Sequence, residues 1–178
     1  KTELSPQEQV KRDISAAQIE LKNLFDKVKL STVRDRYSSL DSDINNLPTR
    51  IQKIRDRKYA FNKILEEQAK SFQRQWVVKR SGILNQITQE SSALQNQLRP
   101  LESRVRALSL GSSPAMTVKS IRSELSSFSS KVTSAESSIT KMFNDLNNEV
   151  SAVKTNLSRI EKTLDYCDSA SFGFLPTE

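Results

Sequence analysis

Apolar residues in this chain recur three and four positions apart, and the longest such run lies between Val118 and Leu164. It reads Val118, Ile121, Leu125, Phe128, Val132, Ala135, Ile139, Met142 and Leu146. After one extra step of four it resumes as Val150, Val153, Leu157, Ile160 and Leu164. Side chains so spaced share one face of an α-helix. Two apolar positions in seven make a narrow seam, which packs knobs-into-holes against other helices. No proline or glycine interrupts it, and at about 1.5 Å per residue the helix is roughly 70 Å long. A helix that long, and polar on its other faces, requires partners.

Two earlier stretches carry the same pattern. Ser5, Pro6 and Glu8 form a capping-box start, followed by Val10, Ile14, Ala17, Leu21, Leu24 and Val28. The frame slips at Leu30-Ser31-Thr32, which a change of winding absorbs without a break. It resumes at Val33, Tyr37, Leu40, Ile44 and Leu47. Pro48 ends or kinks this helix, with a turn at Asn45-Asn46-Leu47-Pro48 as the leading expectation. The second long helix runs through Ile51, Ile54, Phe61, Leu65, Phe72, Trp76, Ile83, Ile87, Leu94, Leu98, Leu101, Val105 and Leu108, with Lys58 and Gln68 filling two seam slots. Pro100 reads as a kink. Ser109-Leu110-Gly111-Ser112-Ser113-Pro114 is a hinge: glycine ends one helix, and Ser113 and Pro114 start the next.

A short hinge makes its flanking helices antiparallel neighbours. Folding there sets Phe143 opposite Gly82, and folding at Pro48 brings Phe25 near Phe72 and Tyr37 near Phe61. The first helix then reaches about residue 90 on the second and about residue 134 on the third. Aromatics crowd the stretch where three helices overlap, and the hinge-proximal part holds only Phe128. The expected fold is therefore all-α: an elongated antiparallel helical bundle or coiled coil, three helices at the base with a two-helix tip. Its domain comprises residues 1–166, with helices at about 5–46, 48–110 and 114–166 and a hinge at 109–114. Residues 167–178 form a C-terminal linker or the entry to a further domain. The rival is one bent helix continuing through Pro48, which must dimerise.

Composition agrees with this. Hydrophobic residues make up 35% of the 178, and there are three glycines and five prolines. A strand-rich fold needs a turn about every 8–12 residues and is excluded. The absence of histidine removes the commonest general base and metal ligand. A lone Cys167 offers neither an internal disulfide nor a cysteine zinc site, and points to a cytoplasmic setting with a partly exposed thiol. No apolar run is long enough to span a bilayer. No phosphate loop, dinucleotide fingerprint, nucleophile elbow or calcium loop occurs. The expectation is a non-enzyme with no cofactor, no metal and no small-molecule substrate. Without an initiator methionine at Lys1, and ending abruptly at Pro176-Thr177-Glu178, the chain reads as a fragment or a processed protein.

Charge is unevenly placed. Arg50, Lys53, Arg55, Arg57, Lys58, Lys63, Lys70, Arg74, Lys79 and Arg80 stand against Asp56, Glu66 and Glu67, while the rest of the chain has 18 charges of each sign. This stretch holds the whole net charge of +7. It is a candidate stripe for an anionic partner, a membrane or a nucleic acid. The plainer reading is a solvated face with some arginines paired across the bundle. Twelve serines lie between Ser109 and Ser138, read as polar outer positions, with phosphorylation as the alternative.

Leu47-Pro48, the run Arg55-Asp56-Arg57-Lys58-Tyr59-Ala60-Phe61 and Gln75-Trp76 together resemble the helical segment of uncharacterised bacterial coiled-coil proteins. The closing Phe174-Leu175-Pro176-Thr177-Glu178 is similar to the junction those chains make with a following β-rich domain. The resemblance implies a stalk or spacer and lends no activity. The functional expectation is a structural or protein-interaction module, a coiled-coil spacer or scaffold, with a protein partner or self-association as a homodimer. Binding of an anionic surface through the basic stripe is the alternative.

Overall fold

In the computed structural model, which describes residues 4–57 and 63–174, with side chains through residue 169, the serine–proline start forms its capping box. Ser5 Oγ accepts the Glu8 N–H at 3.2 Å, and Glu8 Oε2 accepts the Ser5 N–H at 3.4 Å. Two donors that a helix start leaves unpaired are thereby satisfied. The helices are α1 (Pro6–Lys27), α2 (Ser31–Asp56), α3 (Lys63–Arg106), α4 (Ala115–Lys141) and α5 (Asn144–Phe174). There is no strand among the described residues, and the fold is an all-α helical bundle. It divides into two compact units, Lys1–Arg34 with Leu84–Thr140 and Asp35–Ile83 with Lys141–Glu178.

The first unit packs α1, residues 84–106 of α3, and α4. Its core holds Ile14, Ala17, Leu21 and Leu24 of α1, Ile87, Leu94, Leu98 and Leu101 of α3, and Val118, Ile121, Leu125, Phe128 and Val132 of α4. Arg104 pairs with Glu124 at 2.7 Å, and seven residues back on α3 Gln97 accepts from Lys131, seven residues on along α4. Opposite steps mean that α3 and α4 run antiparallel. Arg122 of α4 bonds both Asp13 and Glu20 of α1 at 2.8 Å. Lys27 donates to Ser129 Oγ at 3.0 Å and Thr133 Oγ1 at 2.7 Å. Equal steps in the same sense, Glu20 to Lys27 and Arg122 to Ser129, make α1 and α4 parallel.

α1 ends at a conformation that costs energy locally. Leu30 has φ 55°, the left-handed region, at roughly 1–2 kcal/mol for a residue with a side chain. Its side chain is fully buried, and burying a leucine gains about 1.5–3 kcal/mol, enough to offset the strain. The break also frees the Val28 carbonyl, which accepts a 2.8 Å hydrogen bond from Ser91 Oγ on α3. Ser91 sits buried in a seam slot between Ile87 and Leu94.

The second unit packs α2 from Asp35, residues 63–83 of α3, and α5. Tyr37, Leu40, Ile44, Leu47 and Ile51 face Leu65, Ala69, Phe72, Trp76 and Ile83, with Phe143, Leu146, Val150, Val153 and Leu157 completing the core. Trp76 centres it. Its ring lies 5.0 Å from Tyr37 and 6.3 Å, edge-on, from Phe143. Its indole N–H donates to Asp41 Oδ1 at 2.7 Å, so the polar handle of a buried aromatic has its partner.

Several expectations are corrected. Pro48 is neither a turn nor a helix end: α2 runs through it to Asp56. A proline inside a helix costs about 3 kcal/mol, but Ile44, Leu47, Ile51 and Ile54 around it are all buried, each contributing about 1.5–3 kcal/mol. The reversal instead falls between α2 and α3. The pairing of Tyr37 and Asp41 with Trp76 therefore rules out the single bent helix. It also removes the two-helix tip. With the turn shifted later, Asp13 and Glu20 reach Arg122, and the hinge-proximal unit has three helices. The predicted slip at Leu30 is a true break.

Another break, at Met142–Phe143, splits the long third helix. Met142 is exposed there and Phe143 takes the seam slot. Phe143 packs on Trp76 rather than on Gly82, which is exposed, with open space where a Cβ would stand. Ala69, not Gln68, fills its slot on α3. Phe25 is half-buried in the first unit, Phe72 lies in the core of the second, and Phe61 falls outside the described residues. Of residues 167–178, expected to be a linker or the entry to a further domain, those up to Phe174 belong to α5, and residues 175–178 lie outside the described residues.

The hinge stands, and the α3 helix continues through Pro100 to Arg106. Within the hinge Ser113 Oγ accepts the Ser109 N–H at 3.0 Å, tying the loop to itself instead of capping α4.

Replacing Ser91 with alanine strands the buried Val28 carbonyl. The expected loss is about 1–3 kcal/mol of stability, measured as a lower urea midpoint with an unchanged slope. A wild-type midpoint would show that this hydrogen bond contributes nothing.

Candidate interaction surface

The basic stripe falls on α2 and α3 of the second unit, and the structure sorts its members by partner. Arg50 forks onto Glu161 of α5, Nη2 to Oε1 at 2.6 Å and Nε to Oε2 at 3.3 Å, and also reaches Ser158. Arg57 bonds Asp165 at 2.9 Å and Asp168 at 2.5 Å. These carboxylates, Asp168 first, raise the Arg57 pKa above its ordinary value. Arg80 lies 3.7 Å from Asp41. Arg55 is also engaged, and Lys58 lies outside the described residues. Lys53, Lys63, Lys70, Arg74 and Lys79 are exposed and make no ion pair among the described residues.

Arg50 and Arg57 belong to a regular series. Asp43 meets Lys154 at 2.9 Å, Arg50 meets Glu161, and Arg57 meets Asp168, each pair separated by 111 residues. Positions 43, 50 and 57 are one heptad apart, as are 154, 161 and 168. A constant separation means that α2 and α5 run parallel in a single register, with charge pairs flanking the seam as in a coiled coil. This part of the stripe is structural. Periodicity alone did not show it, because the acidic half lies on a distant segment.

Three carboxylate–arginine contacts, made by two arginines, serve the first unit likewise. Glu20, ahead of Asp13, raises the pKa of Arg122, and Asp13 is itself buried. The Arg104 guanidinium holds the Glu124 carboxyl below its usual range. Cys167 is exposed. Among the described residues no group of three or more His, Cys, Asp or Glu could hold a metal ion, and no helix is long and apolar enough to cross a membrane. No protein-family model matches the chain, and no curated protein or solved structure matches it.

Because Glu124 titrates lower in the folded state, its contribution to stability is fully present above the unfolded carboxylate pKa. It is lost as pH falls through the folded value. Glu124→Gln is expected to unfold at lower urea than wild type at pH 7, with the gap narrowing as pH falls below the unfolded carboxylate range. A gap independent of pH would exclude the ion pair as its source. For the heptad series, Asp43→Lys with Lys154→Asp is expected to recover stability lost in either single variant. The coupling is about 0.2–1 kcal/mol, as measured for such partly exposed pairs.

Proposed function

We propose that the chain is a non-enzymatic helical interaction module, a spacer or scaffold that presents its exposed faces to a protein partner or to a second copy of itself. The heptad series of α2–α5 ion pairs carries this reading. It places charged side chains where they fix which helix faces turn inward and in what register, which is what a presenting frame requires and a catalytic pocket does not. The resemblance to bacterial coiled-coil segments supports the same reading, as does a core whose buried apolar residues follow three–four seams.

The surface retains groups suited to recognition. On α1, Ile19 is 60% exposed and shares a shallow face with Leu4, Lys11, Arg12 and Ala16. Met116, at the start of α4, is 83% exposed. Both lie in the first unit.

Site-specific photocrosslinking at Ile19 and Met116 in cells, together with sedimentation velocity of the purified chain over a concentration series, tests the proposal. One discrete, saturable protein adduct, or a concentration-dependent dimer, is expected. A chain that stays monomeric and forms no adduct at either position would overturn it.

A further inference from the structure

The outer face of α3 in the second unit is unlike the other exposed surfaces. Lys63, Lys70 and Arg74 fall at spacings of seven and four, and Val77 and Val78 lie three and four positions beyond Arg74, so all five line one side of the helix. That side is opposite the buried Leu65, Ala69, Phe72 and Trp76. Val77 is 66% exposed and Val78 81%. The three cations make no ion pair among the described residues. Two carboxylates, Glu66 and Glu67, fall three or four positions from Lys63 and Lys70, and the three cations leave the face cationic by one charge.

From this juxtaposition we propose that the α3 face centred on Lys70, Arg74, Val77 and Val78 docks on an anionic lipid surface. Charge complementarity selects an anionic partner, and the valines select among anionic partners. Two adjacent apolar side chains beside unpaired basic ones fit the boundary between headgroups and acyl chains, where cations meet phosphates and methyl groups leave water. A single-stranded nucleic acid would instead use exposed aromatic rings as stacking platforms, and a duplex would engage the cations through its phosphates without using the valines. The tryptophan on this stretch is 1% exposed and already committed to Tyr37, Phe143 and Asp41. Arg50 and Arg57 lie outside the docking set because α5 holds them. The valines continue the cationic line, so apolar and electrostatic contacts would form together. The proposal goes beyond the interaction-module reading and concerns a different face from the one tested there.

The test is co-sedimentation of the whole chain with phosphatidylserine-containing vesicles, with pure phosphatidylcholine vesicles, and with a duplex oligonucleotide, across a salt series. Binding to the anionic vesicles is expected to weaken as salt rises and to be absent on phosphatidylcholine. Lys70→Glu with Arg74→Glu should lower vesicle affinity roughly 30-fold or more, since each basic residue near such a surface contributes about fivefold. Val77→Ser with Val78→Ser should weaken binding while leaving its salt slope intact. All four positions are exposed, so helical circular dichroism should match wild type. Three results would overturn the proposal: equal binding to neutral vesicles, wild-type affinity in the charge-reversed variant, or binding to the duplex without binding to vesicles. None of these touches the adducts at Ile19 and Met116, so the two readings fail separately.

Discussion

Burial of one line of side chains on α3 underlies both units. From Leu65 through Ala69, Phe72, Trp76 and Ile83 that line forms one wall of the second unit, and from Ile87 through Leu94, Leu98, Leu101 and Val105 one wall of the first. Each buried side chain of this kind contributes about 1.5–3 kcal/mol, so the sum outweighs local misfits in the backbone. Three misfits are tolerated on that account: Pro48 within α2, Pro100 within α3 and the left-handed Leu30. At each, buried apolar residues stand within a few positions, and where the break exposes a carbonyl inside the core, Ser91 closes it.

Apolar seams alone specify register poorly, because a shift of one turn presents much the same surface. The charges resist that shift. Moving α5 by one turn past α2 would separate Lys154 from Asp43, Glu161 from Arg50 and Asp168 from Arg57 together. Each exposed pair contributes only about 0–1 kcal/mol, so their role lies in choosing among alignments more than in holding the fold against denaturation. The same division operates in the first unit, where Arg122 and Lys27 fix α4 against α1.

The helical class, the hinge after α3 and most core positions were legible from three–four spacing, because burial on a helix leaves that periodic trace. The breaks were not legible in the same way. Pro48 looks decisive locally, yet the surrounding core overrides it, and Leu30 has no residue type that announces a left-handed turn. The crowding of aromatics was visible, but its cause was misassigned: both units have three helices, and the aromatics mark a cluster around Trp76. For the surface, composition located the basic stretch without separating its parts. Only the folded arrangement shows that Arg50, Arg57 and Arg80 have acidic partners while Lys63, Lys70 and Arg74 face outward.

The setting of Trp76 has a spectroscopic consequence. The chain has one tryptophan, and it is sealed among Tyr37, Phe143 and the Asp41 carboxylate in the second unit, whereas the first unit has none. Its intrinsic emission therefore reports on one half of the molecule, while far-ultraviolet dichroism averages over helices of both. Unfolding curves recorded by the two methods would coincide if the halves melt together and separate if they do not, with no label introduced.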